Sequence, residues 1–188
     1  MAGGQRLCVF CGSSLPPVPT YREAARKLGQ LLGEGGYELV YGGGRIGLMG
    51  ILADAALAAG GRVTGVIPIG LHDREVGHPG LSEMVVVGDM QERKRRMFAL
   101  CDAVAILPGG LGTLDEAFEA ITLRQLGMLE VPIALIDTGG FWTPLLALID
   151  RVIAEGFAQP EARSLYTVVS RVEDAIPACF DRDVAPKA

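Results

Sequence analysis

Short runs of consecutive apolar residues alternate along the chain with longer stretches whose apolar positions recur at helical spacing. Leu7–Cys11, Glu38–Tyr41, Arg62–Ile67, Glu83–Val87, Ala103–Leu107, Ile133–Ile136 and Thr167–Val169 read as strands. Between them, Tyr21–Glu34, Gly47–Ala59, Met90–Cys101, Thr113–Gly127 and Thr143–Glu155 read as helices. In the first of these, Ala24, Leu28, Leu31 and Leu32 share one face, as an amphipathic helix requires. Strands separated by helices predict right-handed βαβ crossovers and a mainly parallel sheet. The strands are nearly all apolar, which fits a sheet covered by helices on both faces. A chain of 188 residues without repeats, low-complexity tracts or a linker suits one core. The expected architecture is a single Rossmann-like α/β domain over residues 1–188, with the tail after about residue 180 a candidate flexible segment. In such sheets ligands sit beyond the carboxyl ends of the strands, so the loops there are where function is sought.

Composition narrows the partners. Hydrophobic residues make up 49% and charged residues 21%, which excludes a disordered chain. A formal charge of −5 argues against a nucleic-acid backbone as partner. It leaves room for one small phosphate, because a local cluster of donors binds an anion on an acidic protein. No apolar run approaches the roughly 20 residues that span a bilayer, and Met1–Cys8 lacks the apolar stretch of a signal peptide. The expectation is a cytoplasmic protein with no membrane partner. Cys8, Cys11, Cys101 and Cys179 are then expected as thiols. Cys8-x-x-Cys11 falls on a strand, where positions i and i+3 face opposite ways, so it reads as two core thiols. His72 and His78 lack partners at metal-ligand spacing and are expected at the surface. Neither a metal nor a cofactor is called for.

Two strand-to-helix turns are rich in glycine: Tyr41–Gly50, which contains Gly42, Gly43, Gly44 and Gly47, and Leu107–Thr113, which contains Gly109, Gly110 and Gly112. Glycine lets backbone N–H groups approach an anion, and the following helix N-terminus adds a favourable dipole. Two such turns at one sheet edge point to a phosphate-bearing ligand. Gly42, Gly44 and Gly47 also spell G-x-G-x-x-G. The acid expected roughly 20 residues later at the end of the next strand is missing from Val63–Pro68, which disfavours a dinucleotide. Neither turn carries the Gly-Lys-Ser/Thr ending of a P-loop.

Charge appears in an apolar stripe. Met90, Met97 and Cys101 align on one face of their helix, and Arg93 and Lys94 fall on the same face, whereas Arg95 and Arg96 point outward. Arg93 and Lys94 either snorkel from the helix edge or face a cleft and bind phosphate or ribose. Thr113-Leu-Asp-Glu116 has two readings as well. It matches a capping box, in which Glu116 reaches back to its own helix start. It also places a carboxylate one turn beyond the second glycine turn, where it could stabilise positive charge on a sugar or orient a water.

Asp89-Met-Gln-Glu-Arg93-Lys94 followed by Pro108-Gly-Gly-Leu-Gly-Thr-Leu-Asp-Glu116 resembles the two-part signature of the LONELY GUY family, the cytokinin riboside 5′-monophosphate phosphoribohydrolases. The resemblance runs from Gly12-Ser13-Ser14 through Tyr41–Gly50 and Gly65-Val-Ile-Pro68 to Phe157. It implies hydrolysis of the N-glycosidic bond of a purine riboside 5′-monophosphate, with Arg93 and Glu116 catalytic. It implies further that Lys94, Gly110, Leu111, Gly112, Thr113, Leu114 and Asp115 bind substrate, along with Glu75 and Thr122. Ser13, Gly43, Gly44 and Met90 are secondary candidates. A homodimer is implied too, with the segment Thr122–Met128 available for it. Relatives often carry Trp-Ala-Gln-Leu-Gly where this chain has Leu123-Arg124-Gln125-Leu126-Gly127, near the base pocket of the family. Adenine and N6-modified adenine therefore both stay open, as does a non-catalytic nucleotide carrier. Similar sequences have been labelled lysine decarboxylases. That chemistry needs pyridoxal phosphate on a buried lysine, and of Lys27, Lys94 and Lys187 only Lys94 is a plausible anchor.

Overall fold

The computed structural model describes residues 4–72 and 77–181. Seven strands, β1 (Arg6–Phe10), β2 (Glu38–Tyr41), β3 (Val63–Pro68), β4 (Glu83–Val87), β5 (Ala103–Ile106), β6 (Ile133–Ile136) and β7 (Thr167–Val169), form one sheet in the order β4-β3-β2-β1-β5-β6-β7. Every neighbouring pair is parallel. The chain therefore winds outward from β1 in one direction through β4, returns to the middle, and winds outward the other way through β7. The reversal lies between β1 and β5, where such sheets open a crevice beyond their carboxyl ends.

Among the described residues the α-helices are α1 (Pro19–Glu34), α2 (Gly47–Ala58), α3 (Ile69–His72), α4 (Met90–Leu100), α5 (Leu111–Gln125), α6 (Thr143–Ala154) and α7 (Ala175–Phe180). The alternation along β1 shows how they divide. Leu7, Val9 and Cys11 pack into a core with α1, α2 and α7, while Cys8 and Phe10 enter the opposite core with α4, α5 and α6. Period-two geometry thus separates Cys8 from Cys11 across the sheet. All four cysteines are buried free thiols. Among the described residues no helix is long and apolar enough to cross a membrane.

The expected strands and long helices are present with shifts of one or two residues at their ends, while α3 and α7 were not anticipated. Helix α1 starts two residues early, with Pro19 in its first turn, where the missing N–H costs nothing and the ring presets φ. His78 departs from its expected surface position. Its side chain is largely covered and its Nε2 lies 2.9 Å from Asp54 Oδ1 on α2. Its backbone N–H donates to the Gly43 carbonyl at 3.0 Å. Glu75 and the tail from residue 182 lie outside the described residues.

Candidate active site

Helix α4 brings charge into the crevice. Asp89 caps it by accepting from the Glu92 N–H at 2.7 Å, and Glu92 in turn accepts from the Gly88 N–H at 2.7 Å. The first bond closes one of the donors that a helix start leaves open, and the second ties the preceding residue to the first turn. The cap fixes the rotation of the helix, and Arg93 (8% exposed), Lys94 (4%) and Met97 (0%) all turn inward while Arg95 and Arg96 face out. The two charges in the apolar stripe are therefore buried, not snorkelling.

Arg93 reaches three acceptors on three different elements. Its Nη1 donates to Glu116 Oε1 on α5 at 3.1 Å, its Nε to the Val66 carbonyl of β3 at 3.1 Å, and its Nη2 to the Gly42 carbonyl after β2 at 3.4 Å. The three acceptors each meet a different nitrogen of the planar guanidinium, a spread that the single nitrogen of an ammonium does not have. Close approach demands glycine at residue 42, because a Cβ there would stand 1.8 Å from Arg93 Nη2. A second glycine shapes the same edge. Gly47 opens α2 at φ +73°, and a Cβ on it would stand 2.2 Å from the Ser13 carbonyl carbon, so the turns after β1 and β2 interlock.

Glu116 is 6% exposed. Burial pushes its carboxyl up to about 7, against the lowering pull of Arg93 and with a further rise from the neighbouring Asp115 charge. The capping-box reading of this residue does not hold. Helix α5 starts at Leu111 with Gly110 as N-cap, so Thr113 already lies inside the first turn and Glu116 pairs with Arg93 instead. No side chain among the described residues caps this helix. Its first N–H groups, those of Leu111, Gly112 and Thr113, face the crevice edge with the positive end of the helix dipole behind them.

A cleft of about 260 Å³ joins these parts. Of the sequence-derived candidates, Ser13, Met90, Arg93, Gly110, Leu111, Gly112, Thr113, Asp115 and Glu116 line it. Others stand elsewhere. Leu114 packs against the core beneath α5. Gly43 and Gly44 are buried behind Gly42, and Gly44 bridges to Gly77. Thr122 is exposed further along α5 and does not line the cleft. Lys94 is not among the lining residues; its ammonium donates to Asp115 Oδ2 at 2.9 Å and pairs with Glu119. Burial works against that charge, but the two carboxylates outweigh it and hold it above the ordinary lysine value. Sequence reading missed the floor of the cleft, which includes Val9, Phe10, Cys11, Met49 and Leu71 beside Gly42 of the first glycine turn. It also missed the carbonyls of Gly42 and Val66 as the groups that orient Arg93, since no side chain signals them.

The arrangement fits poorly with a Schiff-base cofactor. Lys94 is a charged ammonium held by Asp115 and Glu119 and does not line the cleft, Lys27 is half-buried on α1, and Lys187 lies outside the described residues. A family model described as "Possible lysine decarboxylase" nevertheless matches residues 49–179. Curated relatives carry a different activity in their names. A probable cytokinin riboside 5′-monophosphate phosphoribohydrolase of Oryza sativa subsp. japonica is 44% identical over 172 residues, covering 92% of this chain and 70% of the relative. A cytokinin riboside 5′-monophosphate phosphoribohydrolase of Arabidopsis thaliana is 42% identical over 172 residues, covering 92% and 79%. Among solved structures, a structural-genomics protein superposes with a TM-score of 0.67 at 28% identity over 92% of this chain and 96% of its own. The molybdenum cofactor binding protein of the phototrophic bacterium Rippkaea orientalis gives a TM-score of 0.68 at 22% identity over 94% and 95%, a likeness of fold alone. With the Arg93–Glu116 pair, the uncapped α5 turn and relatives at this identity and coverage, the chain belongs to the LONELY GUY family.

Proposed function

We propose that this protein hydrolyses the N-glycosidic bond of a purine riboside 5′-monophosphate, releasing the base and ribose 5-phosphate, with an N6-modified adenine of the cytokinin type as the base. One observation carries the reading: a buried arginine–carboxylate pair stands one turn inside a helix whose uncapped N-terminus opens into the same cleft. The N–H groups of Leu111, Gly112 and Thr113 suit a 5′-phosphate. That anchor sets the ribose over Glu116 and supplies binding energy remote from the reacting bond.

Breaking the C1′–N9 bond sends its electron pair to the base and leaves oxocarbenium character on the sugar. The Glu116 carboxylate stabilises that charge and accepts a proton from the water that adds at C1′; the departing base takes up a proton at nitrogen from solvent, and Glu116 gives its own back to solvent to close the cycle. A carboxyl poised near 7 is suited to this work at neutral pH. Arg93 orients Glu116 and offers positive charge to the nucleotide. The family's homodimer fits the exposed apolar side chains of Phe118, Leu126 and Met128 on and just after α5, and sedimentation against concentration tests it.

The functional test is chromatography of N6-isopentenyladenosine 5′-monophosphate and adenosine 5′-monophosphate after incubation with purified protein. Free base and ribose 5-phosphate are expected, with the ratio of rates giving the base preference. Binding without release of base would make the protein a nucleotide carrier.

A further inference from the structure

Gly42, Gly43 and Gly44 run consecutively from the end of β2 towards α2. Glycine loses more conformational freedom on ordering than any other residue, so such a run keeps one shape only where its neighbours impose it. Each of the three carbonyls has a donor. Gly42 receives Arg93 Nη2 at 3.4 Å, Gly43 receives the His78 N–H at 3.0 Å, and Gly44 receives the Tyr41 hydroxyl at 3.2 Å. Gly43 joins the first two peptide planes at φ +77°, a conformation that glycine adopts freely and other residues rarely do. Rotation at Gly43 turns one plane against the other. The bond from His78 therefore bears on the carbonyl that meets Arg93.

His78 is in turn fixed through its ring. The Gly80 N–H donates to Nδ1 at 3.2 Å, which puts the ring proton on Nε2, 2.9 Å from Asp54 Oδ1. Asp54 lies about two turns into α2, the helix that the glycine run enters. Gly77, next to His78, forms an antiparallel bridge with Gly44. One residue thus ties the run at Gly43 by its backbone and the helix beyond it by its ring, and it does so without lining the cleft. We propose that His78 is a positioning residue: its ring, held by Asp54 and Gly80, keeps its N–H on Gly43, and the Gly42 carbonyl in turn keeps Arg93 aligned with Glu116. The proposal rests on the reading of the cleft as a hydrolytic nucleotide site. His78 itself touches neither the nucleotide nor the reacting atoms.

The test follows single-turnover base release from N6-isopentenyladenosine 5′-monophosphate, nucleotide affinity by calorimetry, and amide hydrogen exchange over residues 42–47. His78→Ala should slow base release about tenfold or more, the scale of a small misplacement of a catalytic group. Affinity should stay within about threefold, because the start of α5 is untouched. Exchange over residues 42–47 should quicken by about tenfold as the run opens locally. His78→Gln keeps an N–H for Asp54 and should recover most of the loss. In an Arg93→Ala background, His78→Ala should change the rate by less than about twofold, since the carbonyl it steadies no longer has that donor; a general loosening of the fold would add its full effect instead. Wild-type release in His78→Ala, no recovery in His78→Gln, or a full further loss in the Arg93→Ala background would overturn the proposal. If wild type releases no base, the hydrolase reading fails, and exchange then decides whether His78 holds the run: quickening in His78→Ala upholds that hold, and unchanged exchange overturns it.

Discussion

Replacing Glu116 by Gln keeps the shape of the side chain and an oxygen for Arg93, and removes only the titration. Burial raises the carboxyl from 4.5 to about 7 in the folded chain. The unfolded chain therefore loses this proton near 4.5 while the folded chain keeps it until about 7. The stabilisation is fully present below the unfolded value and is lost as pH rises through the folded one. At about 1.4 kcal/mol per unit, that loss comes to about 3 kcal/mol between pH 4 and pH 8. The Gln variant has no such slope. Urea unfolding of both proteins at one protein concentration across this pH range should show wild type losing ground to Glu116→Gln by about 3 kcal/mol, or roughly 6–12 °C in Tm for a chain of this size. Comparing the two proteins cancels the titrating groups that do not interact with Glu116. A stability difference flat to within about 0.5 kcal/mol from pH 4 to pH 8 would refute the placement of Glu116 in a site that penalises its charge.

Other perturbations follow from the same contacts. Arg93→Ala should lower kcat/KM by about 10²–10³ and shift its acid limb to higher pH than in wild type, because the cation that lowers the Glu116 carboxyl is gone; Arg93→Lys should not restore activity, since a single nitrogen cannot reach acceptors spread around the guanidinium plane. Activity equal to wild type in either variant would refute the assignment. Gly42→Ala places a Cβ on Arg93 Nη2 and should cut kcat/KM by about tenfold or more, with far-ultraviolet circular dichroism retained; unchanged kinetics would show that Arg93 need not hold this position. Asp89→Ala should cost about 1 kcal/mol of stability through the lost cap of α4, and an unchanged urea midpoint would count against that cap.

The fold was legible because its signals are local. Apolar runs at Leu39–Tyr41 and Ala103–Ile106 needed no tertiary context to read as buried strands, and period two alone placed Cys8 and Cys11 on opposite faces. The inward turn of Arg93 and Lys94 was legible for the same reason, as charge in an apolar stripe. What failed needed contacts distant in sequence. The Thr113–Glu116 pattern favours a cap when read alone, but the pull of Arg93 from α4 and a helix start at Leu111 put Glu116 to another use. The partners of Lys94, Asp115 and Glu119 on α5, were likewise invisible to a reading of α4 that left phosphate or ribose as its ligand. His78 looked like a surface residue because Asp54, its partner, is distant in sequence on α2. Helix α7, six residues with Pro177 inside it, is too short for periodicity to reveal.

The role proposed for Glu116 is to stabilise a sugar cation in a cleft that holds the nucleotide by its phosphate. It is tested most directly by single-turnover base release from N6-isopentenyladenosine 5′-monophosphate in wild type and Glu116→Gln, with nucleotide occupancy of both measured by calorimetry. The variant should bind the nucleotide and release base about 10²–10⁴ times more slowly. Release at more than about half the wild-type rate would contradict it.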